Sequence, residues 1–131
     1  MSTNSGDNKE KSLKPKKYWR VPEFFPELSK EQQEKLLAYQ TELIHFNGRI
    51  NLISARTEQE ADIIHMADCI KASQLILKGS QQKEIFDIGS GNGLPGIVMA
   101  ILDAERKIVV VDKDARKMEF LKHLCSRLDL K

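Results

Sequence analysis

The chain has little cysteine, no long apolar run and no crowded set of metal-ligand side chains, and each shortage removes a class of protein. Only 2 cysteines occur in 131 residues, Cys69 and Cys125. They are too few for a disulfide scaffold and too far apart for a metal knuckle or a C-x-x-C redox pair. Both fall inside expected helices, which predicts buried, reduced thiols. No apolar stretch reaches the length of a membrane-spanning helix, and no secretory leader is evident over residues 1–17. A cytoplasmic protein with no membrane and no metal partner is therefore expected. Internal repeats, low-complexity tracts and a nucleophile elbow are missing too.

What is present fits one ordinary globular core, with 40% hydrophobic and 31% charged residues. The formal net charge of +2 hides an uneven distribution. Residues 1–20 hold six basic groups (Lys9, Lys11, Lys14, Lys16, Lys17, Arg20) and two acidic ones (Asp7, Glu10), a local +4 that leaves −2 for the rest. Residues 1–17 have almost no apolar side chains, so a disordered basic tail is expected there. Such a tail either binds phosphates through counterion release or stands as a solvated terminus.

Folding is expected to begin near Tyr18. Trp19, Val21, Phe24 and Phe25, interrupted by Pro22 and Pro26, read as an irregular aromatic segment packed on the residues after it. Ser29 and Gln32 form a capping box, and Leu36, Leu37, Tyr39, Leu43, Ile44 and Phe46 recur at helical spacing up to a left-handed stop at Asn47-Gly48. Residues 49–56, RINLISAR, form a connection of mixed polarity. Thr57 with Glu60 reads as a second capping box, opening a helix through Ile63, Ala67, Ile70 and Leu77 to Gly79. The helical region thus covers residues 18–80.

Residues 81–131 carry the chemistry. Glu84 to Asp112, EIFDIGSGNGLPGIVMAILDAERKIVVVD, reads as strand, glycine turn, helix and second strand, and a further helix runs from about Asp114 to Leu128. The first strand, Ile85 to Ile88, has the apolar character of a buried parallel strand and carries Asp87 near its end. Gly89-Ser90-Gly91-Asn92-Gly93-Leu94-Pro95-Gly96 supplies four glycines in eight residues, and Pro95 is suited to the first turn of the next helix. Asp112 lies 21 residues after Gly91, the distance at which an acidic residue meets a ribose diol in an α/β fold that binds at the carboxyl ends of its strands.

Two cofactor classes use such a turn. Gly91 to Gly96 spells G-x-G-x-x-G, which suits a nicotinamide or flavin dinucleotide. The carboxylate of Asp87 suits S-adenosylmethionine better, because it attracts an ammonium and a sulfonium and opposes a pyrophosphate. The turn's backbone N–H groups are expected to receive the methionine carboxylate. Some eighty residues precede the motif, whereas simple dinucleotide domains often begin with it. On the second helix, His65 and Asp68 are three apart and share a face, which suits either an acid-base pair or a local structural bond.

These residues resemble a known family. FNGRINLISAR, HMADCIKAS, FDIGSGNGLPGIVMAIL and VVVDKDARKMEFLKHL are similar to segments of the bacterial small-subunit ribosomal RNA guanine-N7 methyltransferases, the glucose-inhibited division protein B family, from about Leu28 to Leu128. D-I-G-S-G-N-G-L-P-G is the most specific piece, because its leucine-proline-glycine ending is narrower than a general methyltransferase loop. The resemblance implies an α/β, Rossmann-like methyltransferase fold and methyl transfer from S-adenosylmethionine to N7 of a guanine in 16S ribosomal RNA, on the small ribosomal subunit. It implies a cofactor site of Asp87, Gly89, Ser90, Gly91, Asn92, Gly93, Leu94 and Asp112, and substrate-side positions at Asn51, His65, Asp68, Arg116 and Lys117. No general base is expected.

The chain departs from the family in two ways. Arg116-Lys117 stands where the family often has Lys-Arg, and Glu119 where a basic residue is common. The two cations are not equivalent at a bidentate contact. Relatives also continue for several strands and helices beyond the point matched by Lys131, so N-terminal helices followed by the first β-α-β-α unit of a truncated methyltransferase are expected. The alternative is a non-catalytic module that binds RNA or a nucleotide.

Overall fold

The computed structural model describes residues 17–130; the expected basic tail lies almost wholly outside them. Helix α1 (Val21–Phe24) is a single turn with Pro22 in it. The aromatic segment is thus partly regular, and it buries Val21 and Phe25. Helix α2 (Lys30–Asn47) starts at the expected capping box: the Ser29 hydroxyl accepts from Gln32 N–H while the Gln32 side chain accepts from Ser29 N–H. It ends at Gly48, whose φ of −72° is right-handed, so no left-handed stop forms.

The second expected capping box is not made. Ser54 caps a 3₁₀ turn (Ala55–Thr57), and Thr57 closes that turn by donating to the Ser54 carbonyl. The chain then enters a π-helical segment (Asp62–Ala67) that passes directly into α3 (Asp68–Gly79). Segments of this kind often mark functional sites. Asp62, fully buried, locks the segment: Arg20 donates to it from its backbone N–H at 2.7 Å, from Nε at 3.0 Å and from Nη2 at 2.9 Å.

Strands β1 (Glu84–Ile88) and β2 (Lys107–Val111) pair in parallel, Phe86 opposite Val109 and Ile88 opposite Val111. Helix α4 (Gly96–Leu102) connects them, and α5 (Ala115–Arg127) follows, its N-cap Asp114 accepting from Arg116 and Lys117 N–H. One apolar cluster joins both parts of the chain: Val21, Leu36, Tyr39, Leu43 and Ile70 pack with Ile97, Val98, Phe120, Leu121 and Leu124. Cys69 and Cys125 are free but only half-buried, and burial pushes the Cys69 thiol up to about 11.

The buried-strand expectation fails on one face and is met only in part on the other, whose residues are half-buried. Alternation puts Ile85, Asp87, Ile108 and Val110 on one side, and α4 packs on β2 there. On the other side Phe86, Ile88 and Val111 are 59%, 78% and 42% exposed. A bare apolar sheet face binds hydrophobic dyes and promotes association. Replacing Phe86 by Ser and Ile88 by Thr together should lower anilinonaphthalene sulfonate fluorescence roughly twofold or more. The urea midpoint should barely move, because neither side chain is buried.

Candidate functional site

The glycine turn crosses the carboxyl ends of both strands, where ligands bind in open parallel sheets. Gly89, Gly91 and Gly93 have φ of +77°, +57° and +90°, so the path of the turn requires residues without a Cβ penalty. The four glycines serve different needs. A Cβ on Gly89 would meet nothing within 4 Å, and one on Gly91 would sit 3.9 Å from Asp112 Oδ2. A Cβ on Gly93 would lie 2.7 Å from Ile97 Cγ1 and 2.8 Å from Tyr39 Oη, and one on Gly96 2.6 Å from Asp87 Oδ2. Gly89 therefore faces open space and Gly91 leaves room for a methyl in ordinary contact, while the last two are required by packing.

Nearly every amide in the turn is already bonded. Gly89 and Ser90 N–H donate to the Val111 carbonyl, Gly93 N–H to the Ser90 carbonyl and Ile97 N–H to the Gly93 carbonyl. Gly91 N–H donates to Asp112 Oδ2 at 2.9 Å, Leu94 N–H to Asn92 Oδ1 at 3.0 Å and Gly96 N–H to Asp87 Oδ2 at 3.0 Å. Pro95 has no N–H. Among the described residues only the Asn92 amide in this turn lacks a hydrogen-bond partner. Ser90 is 3% exposed, and its hydroxyl donates to the Asp87 carbonyl and accepts from Val111 N–H, stitching the two strand ends together.

What the turn still offers is acceptor capacity. Asp112 receives Gly91 N–H on Oδ2 and Asp114 N–H on Oδ1, and Asp87 receives a single amide. A carboxylate has about four lone-pair sites, so both remain free to accept more. The Asp114 amide first, then that of Gly91 with Lys117 and Lys113 nearby, hold the Asp112 carboxyl below its ordinary range against the opposing pull of desolvation.

Beneath the turn, fully buried Tyr39 donates from its hydroxyl to the Asn92 carbonyl at 2.6 Å, and burial raises its pKa well above the ordinary value. Beside it runs the connector of residues 49–57, held at three points. Asn47 Oδ1 accepts from Leu52 and Ile53 N–H, both at 2.9 Å, while its Nδ2 donates to Glu58. Asn92 Nδ2 donates to the Leu52 carbonyl at 3.0 Å. His65 Nε2 lies 2.9 Å from Thr57 Oγ1. The Thr57 hydroxyl also reaches the Ser54 carbonyl at 2.8 Å, so it bridges the connector and the His65 ring. Burial lowers the His65 pKa and favours a neutral ring.

The expected positions therefore divide. Asp87, residues 89–94 and Asp112 converge at the strand ends. Exposed Asn51 adjoins the residue that Asn92 grips. His65 bonds Thr57, and among the described residues no hydrogen bond or ion pair joins it to Asp68. Arg116 and Lys117 lie in the first turn of α5, and neither enters an ion pair among the described residues. Tyr39 and Asn47 were not expected to belong to the site. A tyrosine on a core-facing helical stripe signals that its hydroxyl needs a partner, but not which one. Among the described residues no helix is long and apolar enough to cross a membrane, and no group of three His, Cys, Asp or Glu could hold a metal.

Two parallel strands joined through a helix, with a glycine turn and two carboxylates at their ends, are compatible with part of a methyltransferase fold. The family model for rRNA small subunit methyltransferase G (GidB) matches residues 32–131, and the chain belongs to that family. It is 45% identical over 125 residues to ribosomal RNA small subunit methyltransferase G 3 of Bdellovibrio bacteriovorus, which covers 95% of this chain and 56% of the relative. It is 36% identical over 104 residues to the methyltransferase G of a Psychrobacter species, covering 79% of this chain and 44% of the relative. It is 34% identical over 103 residues to that of Oceanobacillus iheyensis, with 79% and 43% covered. The chain spans about half the length of the curated relatives it matches.

Proposed function

We propose that the chain forms the cofactor-binding part of a Rossmann-like, S-adenosylmethionine-dependent enzyme that methylates guanine N7 in 16S ribosomal RNA in the cytoplasm. The observation that carries this reading is the donor inventory of the turn. Among the described residues every N–H of the turn but that of Asn92 is occupied, while its two flanking carboxylates keep lone pairs free beyond the amides they accept, so it favours a ligand rich in positive charge and hydroxyl donors over a pyrophosphate. This revises the expectation that the turn's amides receive the methionine carboxylate; among the described residues the Asn92 N–H alone is left for it. Asp112 would hold the ribose diol, Asp87 the ammonium, and the open side of Gly89 would admit the ligand's backbone.

When bound, the cofactor supplies an electrophilic methyl on a sulfonium. The chain's own residues contribute alignment and charge. N7 of guanine has an available lone pair and no proton, so no side chain here needs to act as a base. The carboxylates offset positive charge as it passes to the purine. On the substrate side RNA contact falls to Asn51, Arg116 and Lys117, with Asp68 exposed near the same helix junction and His65 acting through Thr57.

Calorimetry with S-adenosylhomocysteine and with a nicotinamide dinucleotide tests the cofactor. The former should bind and the latter should not, and Asp112→Ala should weaken the former about tenfold or more, since it removes both a ligand contact and the clasp on Gly91. Dinucleotide binding alone would overturn the reading. The alternative is a module that binds RNA or a nucleotide without catalysis, a reading that the basic groups of residues 1–20 favour. Methyl transfer to undermethylated small ribosomal subunits separates the two.

A further inference from the structure

The connector and the cofactor turn are tied together by one side chain. Leu52 is held on both sides of its peptide: its N–H goes to Asn47 Oδ1 and its carbonyl receives Asn92 Nδ2. Its own side chain is buried, 8% exposed, so this point of the connector is fixed while its neighbour Asn51 faces outward. Asn92 is also where the turn keeps its one unpartnered amide among the described residues, and its carbonyl rests on the buried Tyr39 hydroxyl. A ligand that engages the turn thus acts on the residue that grips the connector.

We propose that Asn92 is a positioning residue that couples occupancy of the cofactor turn to the shape of the RNA-facing connector 49–57. The coupling rests on the cofactor and RNA reading given above, and it is reciprocal: if the cofactor steadies Leu52 and Asn51 for RNA, RNA on the connector tightens the cofactor by the same factor. The route is short. Asn92 Oδ1 shapes the turn by accepting from Leu94 N–H, and the same amide group's Nδ2 reaches the connector, so any rotation of that group moves both.

Asn92→Asp isolates the link, because a carboxylate still accepts from Leu94 N–H but cannot donate to the Leu52 carbonyl. The quantity read is the ratio of S-adenosylhomocysteine affinities with and without an unmodified 16S ribosomal RNA transcript, which is independent of any change in absolute affinity. About tenfold is expected for the native chain and within about twofold for Asn92→Asp. Tyr39→Phe, which releases the Asn92 carbonyl but leaves the connector bond, should keep most of the native ratio. Hydrogen exchange on the native chain gives a measurement free of substitutions: S-adenosylhomocysteine should slow the amides of Leu52 and Ile53. An unchanged ratio in Asn92→Asp, or unslowed Leu52 and Ile53 amides in the saturated native chain, would overturn the coupling while leaving the cofactor reading intact. No binding of S-adenosylhomocysteine by the native chain would overturn both.

Discussion

Gly93→Ala should cost the fold about 3 kcal/mol, whereas Gly89→Ala, four residues earlier in the same turn, should cost about 1. Both glycines have positive φ, so each substitution carries the strain of placing a side chain in left-handed backbone. They differ in surroundings. The new methyl at residue 93 would lie 2.7 Å from Ile97 Cγ1, 2.8 Å from the Tyr39 hydroxyl and 3.2 Å from Leu121 Cδ2, all groups of the buried core. At residue 89 it would meet nothing within 4 Å. Urea unfolding of the two variants beside the native chain measures the difference; equal losses would show that packing beneath the turn is looser than these distances imply. The same comparison separates roles, since Gly89→Ala intrudes on the open side where the proposed ligand approaches and should weaken S-adenosylhomocysteine more than it weakens the fold.

Asp62→Asn should destabilise the chain by about 1 to 2 kcal/mol at neutral pH, because it removes a buried charge from a part-exposed guanidinium that keeps only Glu60, at 3.8 Å, as an acidic neighbour. Burial alone would raise the Asp62 pKa, but the Arg20 side chain and backbone N–H outweigh it and hold the carboxyl below its ordinary value. A carboxylate whose folded pKa is depressed contributes stability that is complete above the unfolded value of about 4 and is lost as pH falls through the lower folded value. The native chain should therefore lose stability more steeply than Asp62→Asn below about pH 4, and the two should converge in stronger acid. Thermal melts in a pH series provide the check, and parallel profiles would mean that the pair does not govern acid unfolding.

The regular parts of the fold were legible because their signals are local. The Ser29 and Gln32 capping box, the stripe of Leu36, Tyr39 and Leu43, the valine-rich second strand and the last helix from about Asp114 each depend on residues within a turn or two of one another. The glycine turn and Asp112 were legible because a close backbone approach and a carboxylate 21 residues on leave a fixed spacing. What failed depended on partners distant in sequence. Thr57 and Glu60 have the letters of a capping box, but Thr57 closes a 3₁₀ turn and meets His65, and the helix begins later, at the buried Asp62 that Arg20 reaches across 42 residues. Arg20 was counted with the basic groups of residues 1–20 because its acidic partner lies 42 residues on. The strand read as buried from Phe86 and Ile88, but composition cannot say whether both faces are covered. His65 and Asp68 share a helical face by spacing, but a histidine takes the partner its ring reaches, here a threonine hydroxyl in the connector.

Tyr39 belongs to the helical region, yet it holds up the glycine turn from below, and the cluster around it draws on both parts of the chain. The helices are consequently not an appendage that evolution could trade at a junction near residue 80. A second helix with a different residue at position 39 would have to be matched by a change at residue 93, because the glycine there leaves room for the tyrosine hydroxyl.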